Sequence, residues 1–298
     1  MTVHTIDLHF SGQQQAIAAF VVPTSAGPVL VETGPHATLN HLEQGLNQLG
    51  YQLKDIQHVL LSHIHLDHAG ASWYFARQGA TIYVHPKGVK HLASPERLMQ
   101  SAKRIYQDQM DTLWGQMHPI DAQRMVAPDH GQDIVIGDAT FTAHYTPGHA
   151  VHHIAWQLGS NLFTGDVAGV CIPGGPVVAP CPPPDIHLEH WQQSINLIKN
   201  LPVNTLYLTH YGPVTDIENH LSALQQALTD WGAWVRQAMD RGLDAPTMTP
   251  QFQQYVQQQL QQQGVSGQQL MVYEAANPSW MSVAGLMRYW QKKNENVN

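Results

Sequence analysis

Short apolar runs and regularly spaced leucines divide the first part of the chain into predicted strands and a helix. Residues 16–22 (AIAAFVV) and 28–32 (PVLVE) are rich in β-branched side chains and are separated by Pro and Gly, which is typical of a hairpin. Residues 39–49 repeat leucine at three-and-four spacing, and Gly50 stands where such a helix would end. The pattern therefore predicts a β-hairpin followed by an amphipathic helix.

Alternation of strands and helices continues to residue 85. A buried strand is predicted at 57–61, a helix at 71–79 and a further strand at 81–85. The stretch 87–127 is helical in pattern, rich in Met and Gln, and lacks strand signals. We therefore predict a helical insertion at about 87–130, which either forms a lid or pocket wall or packs on the outside.

The second half repeats this organisation before becoming helical. Predicted elements are strands at 134–136, 140–146, 152–158, 162–166 and 205–210, a Pro- and Gly-rich loop at 169–184, and a helix at 185–200. Two similar sets of strands and helices predict an α+β fold, a four-layered αββα sandwich. We expect a catalytic domain over 1–215 and a helical C-terminal subdomain over 216–298, which shapes either the pocket or a homodimer interface.

Composition narrows the function classes. Hydrophobic residues make up 43% of the 298-residue chain and charged residues 12%, which is typical of a globular protein. A formal charge of −8 gives no electrostatic basis for binding nucleic acid. The N-terminus lacks the pattern of a secretory signal, and no apolar run approaches a membrane span. We expect a cytoplasmic enzyme with a small-molecule substrate and no nucleic-acid or membrane partner.

The strongest chemical signal is a cluster of histidines at residues 62–68 (SHIHLDH), in a chain with 20 His. His63 and His65 are two residues apart in an extended segment after a strand, so both rings point to one side. Asp67 and His68 follow at the start of the next helix. One such histidine would more often be structural, and one such aspartate a helix N-cap. Four ligand-type side chains within six residues favour metal binding instead.

This cluster resembles the hallmark of the metallo-β-lactamase superfamily, and the resemblance extends over about residues 1–215. Members carry a third histidine after a Pro-Gly turn, as in TPGH at 146–149, and a bridging aspartate after a strand, as in FTGD at 163–166. A last histidine closes a late strand, as in LTHYG at 208–212. The resemblance implies a glyoxalase II-like hydrolase of the metallo-β-lactamase type.

The resemblance also implies a set of metal ligands. One metal would be held by His63, His65 and His149, the other by Asp67, His68 and His210, with Asp166 bridging the pair. Many members have Asp where this chain has Glu32, so we expect an adjusted contact behind the ligands and an intact site. The ligands imply two divalent ions, with Zn²⁺ as the first choice and Fe or Mn as alternatives.

Such a site predicts hydrolysis of a small ester, thioester or lactone by a metal-bridging hydroxide. Asp67 would orient the nucleophile and receive a proton. The hydroxyl of Tyr211 would either stabilise an oxyanion or belong to a structural tyrosine beneath the site.

Other residues near these motifs are expected either to support a metal ligand or to have no role in the site. Strand alternation predicts that one of His152 and His153 points inward to support a ligand. His187 and His190 are expected to face solvent. Cys171 and Cys181 form no disulfide framework and lack an obvious base partner, so catalytic thiol chemistry is not expected.

Three alternatives to a dinuclear hydrolase stay open. The first is an oxidoreductase of the persulfide dioxygenase type, in which a single iron is held at the positions of His63, His149 and Asp166. The second is an RNA or phosphodiester hydrolase, and the third is a metal-stabilised binding protein without catalysis. Metal analysis distinguishes the first alternative, and salt-sensitive RNA binding would favour the second.

Overall fold

Two six-stranded mixed sheets form the centre of the protein in a computed structural model that describes residues 1–295. The first sheet has the order β1 to β6, antiparallel up to β3 and parallel thereafter. Its strands are β1 (His4–Asp7), β2 (Ala18–Thr24), β3 (Gly27–Val31), β4 (His58–Leu60), β5 (Thr81–Tyr83) and β6 (Met125–Val126).

The second sheet has the order β12 to β7 and is antiparallel except for the parallel pair β10 and β11. Its strands are β7 (Asp133–Ile136), β8 (Ala139–Tyr145), β9 (Ile154–Leu158), β10 (Asn161–Gly165), β11 (Thr205–Leu208) and β12 (Gly212–Val214). A helix crosses between the parallel strands, as parallel pairing requires.

Helices cover the outer faces of both sheets. They are α1 (Leu39–Gln48), α2 (Leu66–Ala69), α3 (Ser72–Arg77), α4 (Pro86–Ala93), α5 (Glu96–Tyr106), α6 (Met110–Leu113), α7 (Leu188–Lys199), α8 (Ile217–Asp240), α9 (Ala245–Gln262), α10 (Gln268–Ala276) and α11 (Ser279–Glu295). Across residues 1–295, none of the helices combines the length and the apolar character that crossing a membrane requires.

The inner faces of the two sheets pack directly on each other. Phe20 of the first sheet meets Phe163 of the second with ring centroids 5.5 Å apart, and both side chains are buried. The indole N–H of Trp156 donates to the carbonyl of Leu61 across the same interface. The neighbouring residue Val21 faces the other way, into the layer under the helices. This alternation gives four layers and confirms the predicted αββα sandwich.

Three short strands depart from the sequence prediction. β1 and β12 were not predicted, and β6 lies inside the stretch for which no strand was expected. β6 has only two residues, and Val126 pairs with Tyr83 at the sheet edge. The expectation of a purely helical insertion was therefore wrong at this point, because so short a strand leaves no periodic signal.

The C-terminal helices pack against the Pro-rich loop of the catalytic part. A Cβ added at Gly285 of α11 would lie 2.0 Å from the carbonyl oxygen of Cys181, so helix and loop are in backbone contact. The indole N–H of Trp290 joins α11 to the carbonyl of Gly232 in α8. The helical C-terminal extension is confirmed, whereas its boundary at residue 216 stays a prediction, and its last residues, 296–298, lie outside the described residues.

Gly148 fixes the turn that precedes one candidate ligand, His149. Its φ is +143°, and an added Cβ would lie 2.3 Å from the Cα of Trp191 in α7. Trp191 is fully buried and donates its indole N–H to the carbonyl of Val167. The turn can therefore approach α7 this closely only with glycine at position 148.

We expect Gly148→Ala to destabilise the protein by about 1–3 kcal/mol through overpacking, in addition to roughly 1–2 kcal/mol of backbone strain. Gly159→Ala is the matched control, because Gly159 also has a positive φ of +56° but nothing within 4 Å of an added Cβ. Chemical denaturation of both variants measures the difference. Equal destabilisation would show that contact with α7 does not constrain the turn.

Candidate metal centre

Seven candidate ligands converge from the ends of strands in both sheets. His63 and His65 follow β4, while Asp67 and His68 lie in the short helix α2. The other three follow β8, β10 and β11 of the second sheet and are His149, Asp166 and His210. Because each ligand directly follows or lies close to a strand end, the sandwich holds them together at one edge.

The first group contains three imidazoles and one carboxylate oxygen. The Nδ1 atom of His65 lies 2.8 Å from Nε2 of His63 and 3.1 Å from Nε2 of His149. The Oδ2 atom of Asp166 lies 3.2 Å from the same nitrogen of His149. Three nitrogens and an oxygen thus surround one point.

The second group contains two imidazoles and the carboxylates of both aspartates. The Oδ2 atom of Asp67 lies 3.6 Å from Nε2 of His68 and 3.4 Å from Nε2 of His210. The Oδ1 atom of Asp166 lies 3.2 Å and 3.4 Å from those two nitrogens. Asp166 therefore offers one oxygen to each group, which is the geometry of a bridging carboxylate.

The donor atoms are suited to hold divalent metal ions. Each of three overlapping triads drawn from these residues has its ligand atoms within 4.8 Å of one another. Nε2 of His68 and Oδ1 of Asp166 are buried and lack a hydrogen-bond partner within residues 1–295. Leaving such atoms unsatisfied is costly, and a metal ion would satisfy both. Nitrogen and oxygen ligands without thiolate suit zinc and other divalent ions.

Backbone carbonyls fix the orientation of two ligand rings from behind. The Nδ1–H of His210 donates to the carbonyl of Ala16 at 2.7 Å, and that of His149 donates to the carbonyl of Pro180 at 2.9 Å. A proton on Nδ1 leaves the lone pair on Nε2, which faces the cluster. These contacts select the tautomer that a metal requires.

Glu32 and Ser62 support two further histidines of the cluster, His68 and His63. The Oε1 atom of Glu32 accepts from the backbone N–H of Ser62 at 3.0 Å, and its Oε2 lies 3.4 Å from Nδ1 of His68. The hydroxyl of Ser62 lies 2.9 Å from Nδ1 of His63. Glu32 reaches this position with a φ of +64°. The predicted contact from Glu32 to a ligand imidazole is therefore present at ion-pair distance.

Burial keeps the ligands of the first group neutral. Burial and the neighbouring His149 lower the pKa of His65 to about 3, and burial together with His68 places the pKa of His63 well below its usual value. Their lone pairs are thus available at neutral pH.

In the second group the charges of neighbouring side chains outweigh the effect of burial on the pKa. Burial lowers the pKa of His68, but Asp166, Asp67 and Glu32 outweigh burial and raise it well above its usual value. Burial alone would raise the pKa of Asp67, yet His68 and His210 lower it to about 2. The carboxylates thus stay ionised and attract positive charge, which bound cations would supply.

Both His152 and His153 are buried, so the expectation that only one points inward was wrong. The strand begins only at Ile154, so both histidines lie just before it and the alternation of a strand does not apply to them. Nε2 of His153 accepts from the backbone N–H of Asp166 at 3.2 Å, which leaves its Nδ1–H to donate to the hydroxyl of Thr146. His153 therefore positions Asp166.

Tyr211 occupies a different environment from the other candidates. Its partly buried side chain packs against apolar residues of both the layer between the sheets and the layer under the helices, and burial together with Asp7 raises its pKa to about 12. Within the described residues Tyr211 does not line the cavity at the cluster. Partial burial against apolar side chains, away from the cavity, favours the expectation of a structural tyrosine beneath the site, and a role at an oxyanion stays a prediction.

Among the described residues, neither the two histidines at the start of α7 nor the two cysteines belong to a group that could hold a metal ion. His187 and His190 stack on each other at 3.7 Å at the start of α7, with His187 half-exposed. Burial raises the pKa of Cys171 to about 11 and that of Cys181 further, so neither thiol is activated.

A cavity of about 980 Å³ opens onto the cluster. Asp67, Asp166 and His210 lie at its base, while the insertion and the C-terminal helices supply much of its wall. Sequence reasoning left these wall residues unassigned, including Tyr106 and Trp280. Their aromatic character was the available signal, but nothing local indicated that distant helices meet above the site.

A family model described as the metallo-beta-lactamase superfamily matches residues 13–210 of the chain. The metallo-beta-lactamase fold-containing protein ST1585 of Sulfurisphaera tokodaii is 28% identical over 178 residues, which cover 58% of this chain and 67% of that protein. An atrochrysone carboxyl ACP thioesterase of Aspergillus fumigatus is 29% identical over 220 residues, which cover 72% of this chain and 56% of the thioesterase.

A solved structure resembles almost the whole chain, beyond the residues that the family model matches. The metallo-beta-lactamase family protein TTHA1429 of Thermus thermophilus superposes with a TM-score of 0.69 at 17% identity, covering 98% of this chain and 93% of its own. At this identity the similarity establishes the fold. It extends through the C-terminal helices, because almost all of this chain is covered.

We expect Glu32→Gln to weaken metal binding by about 10–100-fold, because the neutral amide no longer attracts the ring N–H of His68. Glu43→Gln is the matched control, since Glu43 is exposed on α1. Competition with a chromogenic chelator measures the affinity of each protein for Zn²⁺. Unchanged affinity in Glu32→Gln would remove Glu32 from the support of the site.

Proposed function

We propose that this chain, which belongs to the metallo-beta-lactamase superfamily, is a hydrolase that uses two divalent metal ions to cleave a small ester, thioester or lactone. The observation that carries the proposal is the pair of ligand groups that share the two oxygens of Asp166. One group alone would suit a mononuclear site. Two groups joined by a carboxylate suit a dinuclear one.

In this proposal each of the two groups of side chains holds one ion. His63, His65 and His149 hold one ion, and Asp67, His68 and His210 hold the other, with Asp166 between them. Ions bound by these residues would lower the pKa of water to about 7 and polarise the oxygen of the group under attack. Zinc is the proposed metal because the ligands are nitrogen and oxygen atoms.

Asp67 is the carboxylate proposed to act on the water nucleophile. Its side chain is 22% exposed, compared with 4% for Asp166, and it lines the cavity. It can therefore accept a hydrogen bond from an entering water and receive the proton during attack. Asp166 is enclosed by histidines and instead fixes the distance between the two groups.

A thioester or ester substrate is supported by both the cavity and a relative. The cavity opens directly onto Asp67, so an acyl carbonyl can reach the cluster from it. The relative from Aspergillus fumigatus is named as a thioesterase and aligns over 72% of this chain. We therefore favour carbonyl over phosphoryl substrates, and the bond cleaved would be a thioester bond as in glyoxalase II-like chemistry, whichever thiol carries the acyl group.

The first prediction concerns metal content. Protein reconstituted with zinc should hold about two ions per chain, and their removal by a chelator should abolish hydrolysis and lower the unfolding temperature. The temperature falls because ions that bind only the folded protein stabilise it by about 2.7 kcal/mol at a hundredfold excess over Kd. Elemental analysis and thermal unfolding provide the measurements.

Readdition of Zn²⁺ to the apoprotein is the control and should restore both properties. About one iron per chain, with oxygen uptake on glutathione persulfide, would contradict the hydrolase and favour the persulfide dioxygenase type. Hydrolysis restricted to phosphodiesters would instead favour the nuclease alternative.

The second prediction concerns Asp67. Asp67→Asn should lower kcat for thioester hydrolysis by roughly 10²–10⁴-fold, because the amide cannot receive a proton. The kinetics must be measured on protein whose zinc content has been quantified, since Asp67 is also a proposed ligand. Asp240→Asn, at an exposed position on α8, is the matched control. Full activity in zinc-loaded Asp67→Asn would refute this role.

A further inference from the structure

Aromatic side chains form one side of the cavity above the candidate metal centre. Phe10, Tyr106, Trp114 and Trp280 all line it, and we name these four residues the aromatic wall. Phe10 and Trp114 are buried, whereas Tyr106 and Trp280 are partly exposed. The cavity therefore offers a ligand several aromatic surfaces in addition to the polar cluster at its base.

The rings of the wall form a continuous series. Trp114 lies 5.3 Å from Phe10 and 5.0 Å from Tyr106 between ring centroids, and Tyr106 lies 5.9 Å from Trp280. The planes are inclined by 35° to 73°, so faces and edges are presented at different angles. A planar aromatic ligand can meet such a surface in offset-stacked or edge-to-face contacts, which aromatic pairs prefer.

Contacts between the insertion and the C-terminal extension hold the wall in place. Tyr106 ends α5 of the insertion, and its hydroxyl donates to Sδ of Met281 in α11 at 3.3 Å. Trp280 precedes Met281 in the same helix. Phe10 and Trp280 also lie outside residues 13–210, the part that matches the family model. The wall is thus built largely by segments added around the metal-binding sandwich.

Charge on the cavity lining favours an uncharged ligand. Among the described lining residues, Arg97 is the one Lys or Arg, and it is exposed. Carboxylates of Asp108, Asp185 and Glu274 also line the cavity, beyond the aspartates of the cluster. A ligand carrying its own carboxylates would meet repulsion here, so the lining does not favour the anionic glutathione moiety.

We infer that the acyl group cleaved by this protein carries an uncharged aromatic ring system, which binds against the aromatic wall. This inference rests on the proposed hydrolysis and names its substrate class. The cavity volume of about 980 Å³ is at the upper end of the range for drug-sized ligands, so a fused ring fits. The scissile carbonyl then lies toward Asp67 while the ring lies toward α5 and α11.

Binding of neutral amides tests the inference without turnover. The probes are 2-naphthamide and undecanamide, which match in carbon number and differ in aromaticity. Zinc-loaded protein is titrated with each, and Kd is measured by calorimetry. We expect 2-naphthamide to bind roughly tenfold more tightly, because aromatic pairs gain more than area burial alone provides.

Variants of Trp280 test whether the aromatic wall causes the preference for 2-naphthamide. Trp280→Leu should remove most of the difference between the two Kd values, while Trp280→Phe should keep most of it because a ring remains. Trp234→Leu is the matched control, since Trp234 is also partly exposed and packs against Phe252 and Tyr255 away from the cavity. Thermal unfolding and zinc content show whether each variant is folded.

Hydrolysis of neutral N-acetylcysteamine thioesters separates this inference from the proposed function. Equal affinity for the two amides, or a preference that survives in Trp280→Leu, overturns the aromatic substrate class even if thioesters are cleaved. Conversely, failure to cleave acetyl, undecanoyl and 2-naphthoyl thioesters counts against thioester hydrolysis even if 2-naphthamide binds at the wall. A preference for 2-naphthamide that is lost in Trp280→Leu supports the inference.

Discussion

The shared carboxylate of Asp166 is the contact on which the site depends. Its two oxygens face different histidine groups, and it is almost completely buried. A buried carboxylate is costly unless positive charge or hydrogen bonds compensate for it. Oδ1 lies at ion-pair distance from His68 and His210, yet it has no hydrogen-bond partner in the described chain. The enclosed negative charge therefore favours a bound cation at this edge of the sandwich.

The rest of the architecture restrains that contact. Asp166 directly follows β10, and His153 accepts a hydrogen bond from its backbone N–H. Carbonyls of Ala16 and Pro180 hold the rings of His210 and His149, one in each group of candidate ligands. Because these partners are backbone groups, the two rings are oriented by the fold itself. The insertion and the extension then add a cavity whose aromatic wall contains none of the candidate metal ligands.

The fold could be predicted from the sequence, and the seven candidate ligands named from it lie together in the structure. The cluster from His63 to His68 was recognisable because ligand-type residues at this density have no simple structural use. Tyr211 could not be evaluated in the same way, since a tyrosine beside a ligand packs in a core as readily as it faces a cavity. The prediction for His152 and His153 was wrong because the strand begins at Ile154 and not at residue 152. The ends of an element are what a sequence pattern locates least precisely. The wall from Phe10 to Trp280 depends on long-range packing, which local periodicity does not encode.

Anomalous diffraction from crystals of the zinc-loaded protein tests the central claim most directly. The account predicts two zinc peaks on either side of the Asp166 carboxylate, one among His63, His65 and His149, the other beside Asp67, His68 and His210. A single peak at full occupancy with excess zinc, or peaks away from Asp166, would contradict the bridging role of that carboxylate.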